Sequence, residues 1–223
     1  MTDAPPEPVF GESRWPPTLA LLVFLALNIG VRLWLPHESA LRLPWLLPAV
    51  EGFLLVALLA SDRGRLARQR RWWRPLCLAF VLVLVVAALW ATALLVRDLI
   101  SGTGVSHHPA QLLASGALVW VGNNLAFGLL YWLMDGGGPI TRSRRSDPID
   151  FAFTQQLSPE IAPPGWRPVF LDYLHLGFTN ATAFSPTDVM PLTLRAKYTM
   201  IVQSTVALAL FGLIVARAVN SFN

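Results

Sequence analysis

Long apolar runs separated by short polar stretches set the pattern of this chain of 223 residues. Residues 16–35, "PPTLALLVFLALNIGVRLWL", make the first run, and residues 44–60, "PWLLPAVEGFLLVALLA", a shorter second. Residues 75–96, "PLCLAFVLVLVVAALWATALLV", are the clearest, with no charge before Arg97. Two more cover residues 110–134 and 198–219. A helix of about 20 residues rising about 1.5 Å per residue crosses the hydrocarbon core of a bilayer. The five runs therefore predict five transmembrane helices. A sixth apolar stretch, 169–183 "VFLDYLHLGFTNATA", is too short to cross comfortably, at about 22 Å as a helix. It predicts a short interfacial or re-entrant helix instead. Pro168 and Asp172 favour a helix start there, and Pro186 ends it.

The polar segments divide the chain. Residues 1–15, rich in Pro and Glu, predict a disordered tail. Residues 16–134 carry four spans, 135–167 form a polar linker with "DGGGP" and "APPGW", and 168–223 hold the short helix and the last span. The expected fold is an all-α integral membrane protein. No internal repeat is visible.

Composition supports this. The chain is 54% apolar and 13% charged, too little charge for an ordinary water-soluble domain. Its net charge of +4 rests almost wholly on arginine, since Lys197 is the only lysine. The basic excess sits between apolar runs, so it predicts membrane orientation and excludes a nucleic-acid surface. Residues 61–74, "SDRGRLARQRRWWR", hold six arginines and one acid, which retains that loop in the cytoplasm. The fourth span then ends inside, where Arg142, Arg144 and Arg145 agree. An acidic tail before the first run and no cleavage site after it argue against a signal peptide. Heavy use of Arg, Ala, Leu and Pro suggests a GC-rich bacterial genome, and with the apolar runs the expected place is a bacterial inner membrane. Cys77, the single cysteine, forbids an intrachain disulfide and reads as a packing residue.

Candidate chemistry gathers in "FTNATAFSPTD", residues 178–188. Thr179 and Thr182 share one helical face; they either line an ion path or bond back to their own helix. Asp188 forms a carboxylate ring at a pore mouth in an oligomer, caps the helix near Thr193, or pairs with Arg195. Glu51 is ionisable within a span, a functional candidate unless it snorkels or pairs with Arg32 or Arg97. Asn123, Asn124 and Asn180 suit helix-to-helix hydrogen bonds. Gly212 and Ala216 allow close packing of the last helix, and Gly212 is a candidate gating hinge. His107 and His108 lack a nearby carboxylate or cysteine, and His175 stands similarly, so no metal site is expected. No cofactor motif is present.

A short helix, "T-x-x-T", an irregular strand, Asp, and a long final helix resemble the pore unit of the potassium-channel superfamily. The block also resembles bacterial membrane proteins labelled as a two-pore-domain potassium channel family. The resemblance covers about residues 168–220. It implies that Thr179 and Thr182 end a pore helix, that Phe184, Ser185 and Thr187 occupy the filter, and that Asp188 follows it. It implies inorganic cations as partners and a homo-oligomer, most simply a tetramer. The departure lies in the filter. A potassium filter stacks carbonyls along a glycine-rich strand, and "AFSPT" contains no glycine and one proline. Any conduction should therefore select poorly. The arginine count also makes the re-entrant segment enter from the cytoplasm, opposite to potassium channels, unless one predicted span does not cross. The leading expectation is a cation channel or channel-like protein. The alternatives are a non-conducting accessory protein that keeps the pore fold, or an intramembrane enzyme. The sequence lacks H-E-x-x-H, G-x-S-x-G and paired intramembrane aspartates, and an acid–base pair of Asp188 and His175 would have no nucleophile to serve, so no enzyme is expected.

Overall fold

The computed structural model describes residues 13, 15–34, 49, 51–53, 55–56, 70–101, 109–142, 148–183 and 188–220. It is mostly helical. Helix α1 runs Trp15–Trp34, α2 Arg70–Ser101 and α3 Pro109–Met134. Prolines in the first turn of α1 and α3 remove amide donors that would be unpaired there anyway. A 3-10 turn, Asp135–Gly137, leads into a single helical turn, α4, Pro139–Arg142. Strand β1, Phe151–Phe153, is followed by another single turn, α5, Thr154–Leu157. Helix α6, Phe170–Ala183, strand β2, Val189–Pro191, and helix α7, Leu194–Asn220, complete the order. Between α1 and α2, the described residues of 49–56 are helical.

Three described segments are long and apolar enough to cross a membrane: Pro75–Asp98, Leu113–Gly137 and Leu194–Ala216. Trp15–Gly30 is apolar but shorter. The run 44–60 lies mostly outside the described residues, as do the tail 1–12 and the histidine pair 107–108. The described chain is mostly helical, as the sequence predicts, with one small sheet besides. The linker 135–167 is not featureless: β1 within it pairs antiparallel with β2, setting Phe151 opposite Pro191 and Phe153 opposite Val189.

Helix α3 is the centre, packed against α1, α2, α6 and α7. Its directions follow from its contacts. Asn123 reaches Thr92, and Trp120 and Val119 pack by Leu95, so α2 runs antiparallel to α3. Tyr131 meets Gln203 while Gly116 faces Ile214, so α7 is antiparallel too. Tyr173 meets Asp135, and further on Phe178 stacks edge-on against Trp120 at 5.4 Å, so α6 is antiparallel as well. Helices α2, α6 and α7 therefore all begin at the end where α3 finishes.

Glycine makes the α3–α6 crossing possible. A Cβ on Gly128 would lie 3.2 Å from the Leu174 Cα, and one on Gly177 would lie 3.4 Å from the Asn124 carbonyl oxygen. At the shared end, aromatic rings fill the space under the sheet. Phe151 and Phe153 meet Tyr173, Tyr131 meets Phe151, and Trp132 meets Phe170. These buried side chains join Phe24, Leu84, Phe127 and Leu129 in one core.

Candidate functional site

Leu171, His175, Phe178 and Thr182 are the exposed side chains among those described on α6, a stripe at helical spacing with Phe178 at its margin against Trp120. Both candidate threonines lie toward its end, and both satisfy their hydroxyls locally. Thr179 Oγ1 donates to the carbonyls of His175 and Leu176 at 3.0 and 3.1 Å. Thr182 Oγ1 donates to Phe178 at 2.9 Å. Each oxygen keeps lone pairs free to accept. The filter candidates Phe184, Ser185 and Thr187 lie outside the described residues.

Asp188 pairs neither with Arg195 nor with the start of the helix at Thr193. Its Oδ2 lies 3.2 Å from His175 Nε2, both side chains being partly exposed. Arg195 is already engaged elsewhere, and the helix at Thr193 is capped by Thr193 itself, whose Oγ1 accepts from the Ala196 amide. Asp172 starts α6 as the sequence suggests, its Oδ2 accepting from the Val169 amide at 2.7 Å. Burial pushes its carboxyl above the usual carboxylate range, opposed by that hydrogen bond and by His175.

Behind α6 lies a buried polar cluster. Tyr131 and Asn180 both donate to Gln203 Oε1, at 2.7 and 2.9 Å, and Gln203 Nε2 donates to the Gly177 carbonyl at 2.9 Å. Asn180 also donates to the Met200 carbonyl. This ties α3, α6 and α7 together. Asn180 thus has the packing role its position off the threonine face suggested. Asn123 bridges α3 to Thr92 of α2 at 2.8 Å, whereas Asn124 Nδ2 returns to its own helix at Trp120.

Glu51 is fully buried, and its Oε1 accepts from Asn28 Nδ2 at 2.7 Å. Arg97 does not serve it, being mostly exposed and meeting Asp98, and the Arg32 side chain lies outside those described. Gly212 sits on the outer face of an unbroken α7, with nothing within 4 Å of where a Cβ would be. Among the described residues it makes no close contact outside its own helix.

The largest feature that sequence reasoning missed is a pair of buried aspartates at the shared end. Asp135 accepts from the Asp150 and Phe151 amides through Oδ1, at 2.6 and 3.2 Å, and from the Tyr173 hydroxyl through Oδ2 at 2.5 Å. Arg142 Nη1 donates to the carbonyls of Trp132 and Asp135, and its guanidinium lies 4.7 Å over the Tyr173 ring. Asp150 receives Arg195 in a fork and the Thr193 hydroxyl besides. The signal in the sequence was "DGGGP" directly after an apolar run. Gly136, Gly137 and Gly138 all take positive φ, which lets the chain double back under α3.

Among the described residues, no group of three or more His, Cys, Asp or Glu side chains is placed to hold a metal ion. No protein-family model, curated protein or solved structure matches this chain. Function must therefore be argued from the geometry alone.

Proposed function

We propose that the chain is a multi-pass protein of a bacterial inner membrane in which α6 and the return to Asp188 form a re-entrant unit. Copies of that unit assemble into a cation-conducting pore, a tetramer in its simplest form. The observation that carries the proposal is the contact between His175 and Asp188. Helix α6 leaves the shared end and stops at Ala183, and Asp188 is already back beside its early turns. Helix α7 then starts again from that same end. At 14 residues α6 is about 21 Å long, short of the about 30 Å hydrocarbon core. Entry, return and a following spanning helix are what a pore loop requires.

Charge supports a cation. The C-terminal end of α6 carries about half a negative charge from unpaired carbonyls, and Asp188, beside His175, adds a carboxylate along the same helix. The arginine-rich start of α2 and Arg142 lie at the end where α6 begins, so the loop enters from the cytoplasmic side. Without glycine in "AFSPT", conduction discriminates poorly between potassium and sodium.

One observation favours a non-conducting accessory protein instead: both threonine hydroxyls donate into their own helix. Flux decides between the two. Purified protein in liposomes should pass monovalent cations, with reversal potentials close together for potassium and sodium. Protein that inserts and folds but passes no cation supports the accessory reading and sinks the pore.

A further inference from the structure

Among the described residues, Glu51 is an acid whose surroundings offer it half of what an ionised carboxylate needs. It is fully buried, in a stretch that packs Phe53 against Phe80 of α2 at 4.6 Å and Leu55 against the main core. Oε1 accepts from Asn28 Nδ2 at 2.7 Å, and Oε2 has no hydrogen-bond partner among the described residues. Asn28 has nothing more to give. Its amide carries two hydrogens, and the nitrogen already serves both Glu51 and the Phe24 carbonyl. A bare carboxylate oxygen in an apolar interior is costly enough that the group neutralises instead.

We propose that Glu51 is a proton-binding site inside the helix bundle, with the proton on Oε2 and the neutral carboxyl held in place by Asn28. Asn28 selects which oxygen is protonated: an oxygen accepting from the amide keeps its lone pairs, and the other takes the hydrogen. The proposal rests on the membrane reading of this region, but not on conduction by α6. A carboxyl of this kind also has a recognisable chemistry. An apolar carbodiimide partitions into the bilayer and adds across the protonated group. The carboxyl proton passes to one carbodiimide nitrogen and the carboxylate oxygen bonds to the central carbon. The acyl group then shifts to nitrogen, leaving a stable N-acylurea with no atom lost.

The test uses the full-length protein in liposomes near neutral pH. Dicyclohexylcarbodiimide should add one reagent mass to the peptide containing Glu51, a water-soluble carbodiimide should leave it unmodified, and alkaline pH should abolish the addition. Glu51→Gln keeps the shape of the neutral acid and its acceptor for Asn28, so its melting temperature should match that of the parent. Absence of the adduct on Glu51 while other carboxyls react would overturn the proposal. So would a Glu51→Gln melting temperature lower by several degrees, which would mean that a charge was being held there. Neither result bears on cation flux, so failure here is distinct from failure of the pore.

Discussion

Arg195 grips Asp150 with two nitrogens, Nε on Oδ1 and Nη2 on Oδ2, each at 2.6 Å, and the aspartate is wholly buried. The pair fastens the first turn of α7 to the residue just before β1. Asp150 in turn donates its amide to Asp135, so one chain of contacts joins the ends of α3 and α7. The guanidinium is about half exposed, which lowers its desolvation cost, while the carboxylate depends on its partners for solvation.

Arg195→Ala should therefore destabilise the fold by about 2–4 kcal/mol, because it strands a buried carboxylate. Arg195→Lys should recover only part of this, since an ammonium cannot supply the paired fork. Thermal unfolding in detergent, with both variants beside the parent, checks the order.

Gly128 and Gly212 should respond oppositely to alanine. At Gly128 the new methyl meets the Leu174 backbone at 3.2 Å, and the cost should be about 1–3 kcal/mol. At Gly212 there is open space, and alanine should be neutral or stabilise by up to about 1 kcal/mol through helix propensity. If Gly212→Ala instead dissociates an oligomer on size-exclusion chromatography, that face packs against another copy.

Gln203→Leu removes the hub of the buried polar cluster. It leaves the Tyr131 hydroxyl and the Gly177 carbonyl without their partner and should cost about 1–3 kcal/mol. The loss should appear as a lower melting temperature together with faster proteolysis between α6 and α7.

Asp188→Asn keeps the shape of the side chain and removes its charge. Cation flux should fall, most clearly at low ionic strength, where screening is weakest. Thr182→Val gives up only a hydroxyl bonded within its own helix, so it should shift ion preference with little change in stability. Unchanged flux in both variants would make residues 178–188 a structural turn.

Cysteines placed at Ser61 and Ser143, with Cys77 replaced, should both be labelled from the cytoplasmic side. Labelling of either from the other side would reverse the loop and restore the conventional entry of a pore helix.

The helices α1, α2, α3 and α7 were legible as apolar runs, and α6 as a short run between prolines. Their ends agree with the sequence within a few residues, except that α2 extends past the run 75–96 at both ends and begins inside the arginine-rich segment. The threonine face of α6 was legible too, since helical spacing alone sets it. What each polar group bonds to was not. Asp188 neither caps the helix at Thr193 nor pairs with Arg195 but meets His175, a contact that depends on where the chain turns back after Ala183.

The sequence by itself determined where the chain becomes helical and which lengths can cross a bilayer. Those properties depend on apolar content and local spacing, within a window of about 20 residues. It did not determine that Asp135 and Asp150 are buried. Both lie in a segment that reads as a polar linker, and their partners stand far along the chain: Tyr173 is 38 residues from Asp135, and Arg195 is 45 from Asp150. A carboxylate is tolerated in the interior only once those donors have converged on it. That convergence exists only after α3, α6 and α7 have packed with their ends together, so the tertiary structure alone decided it.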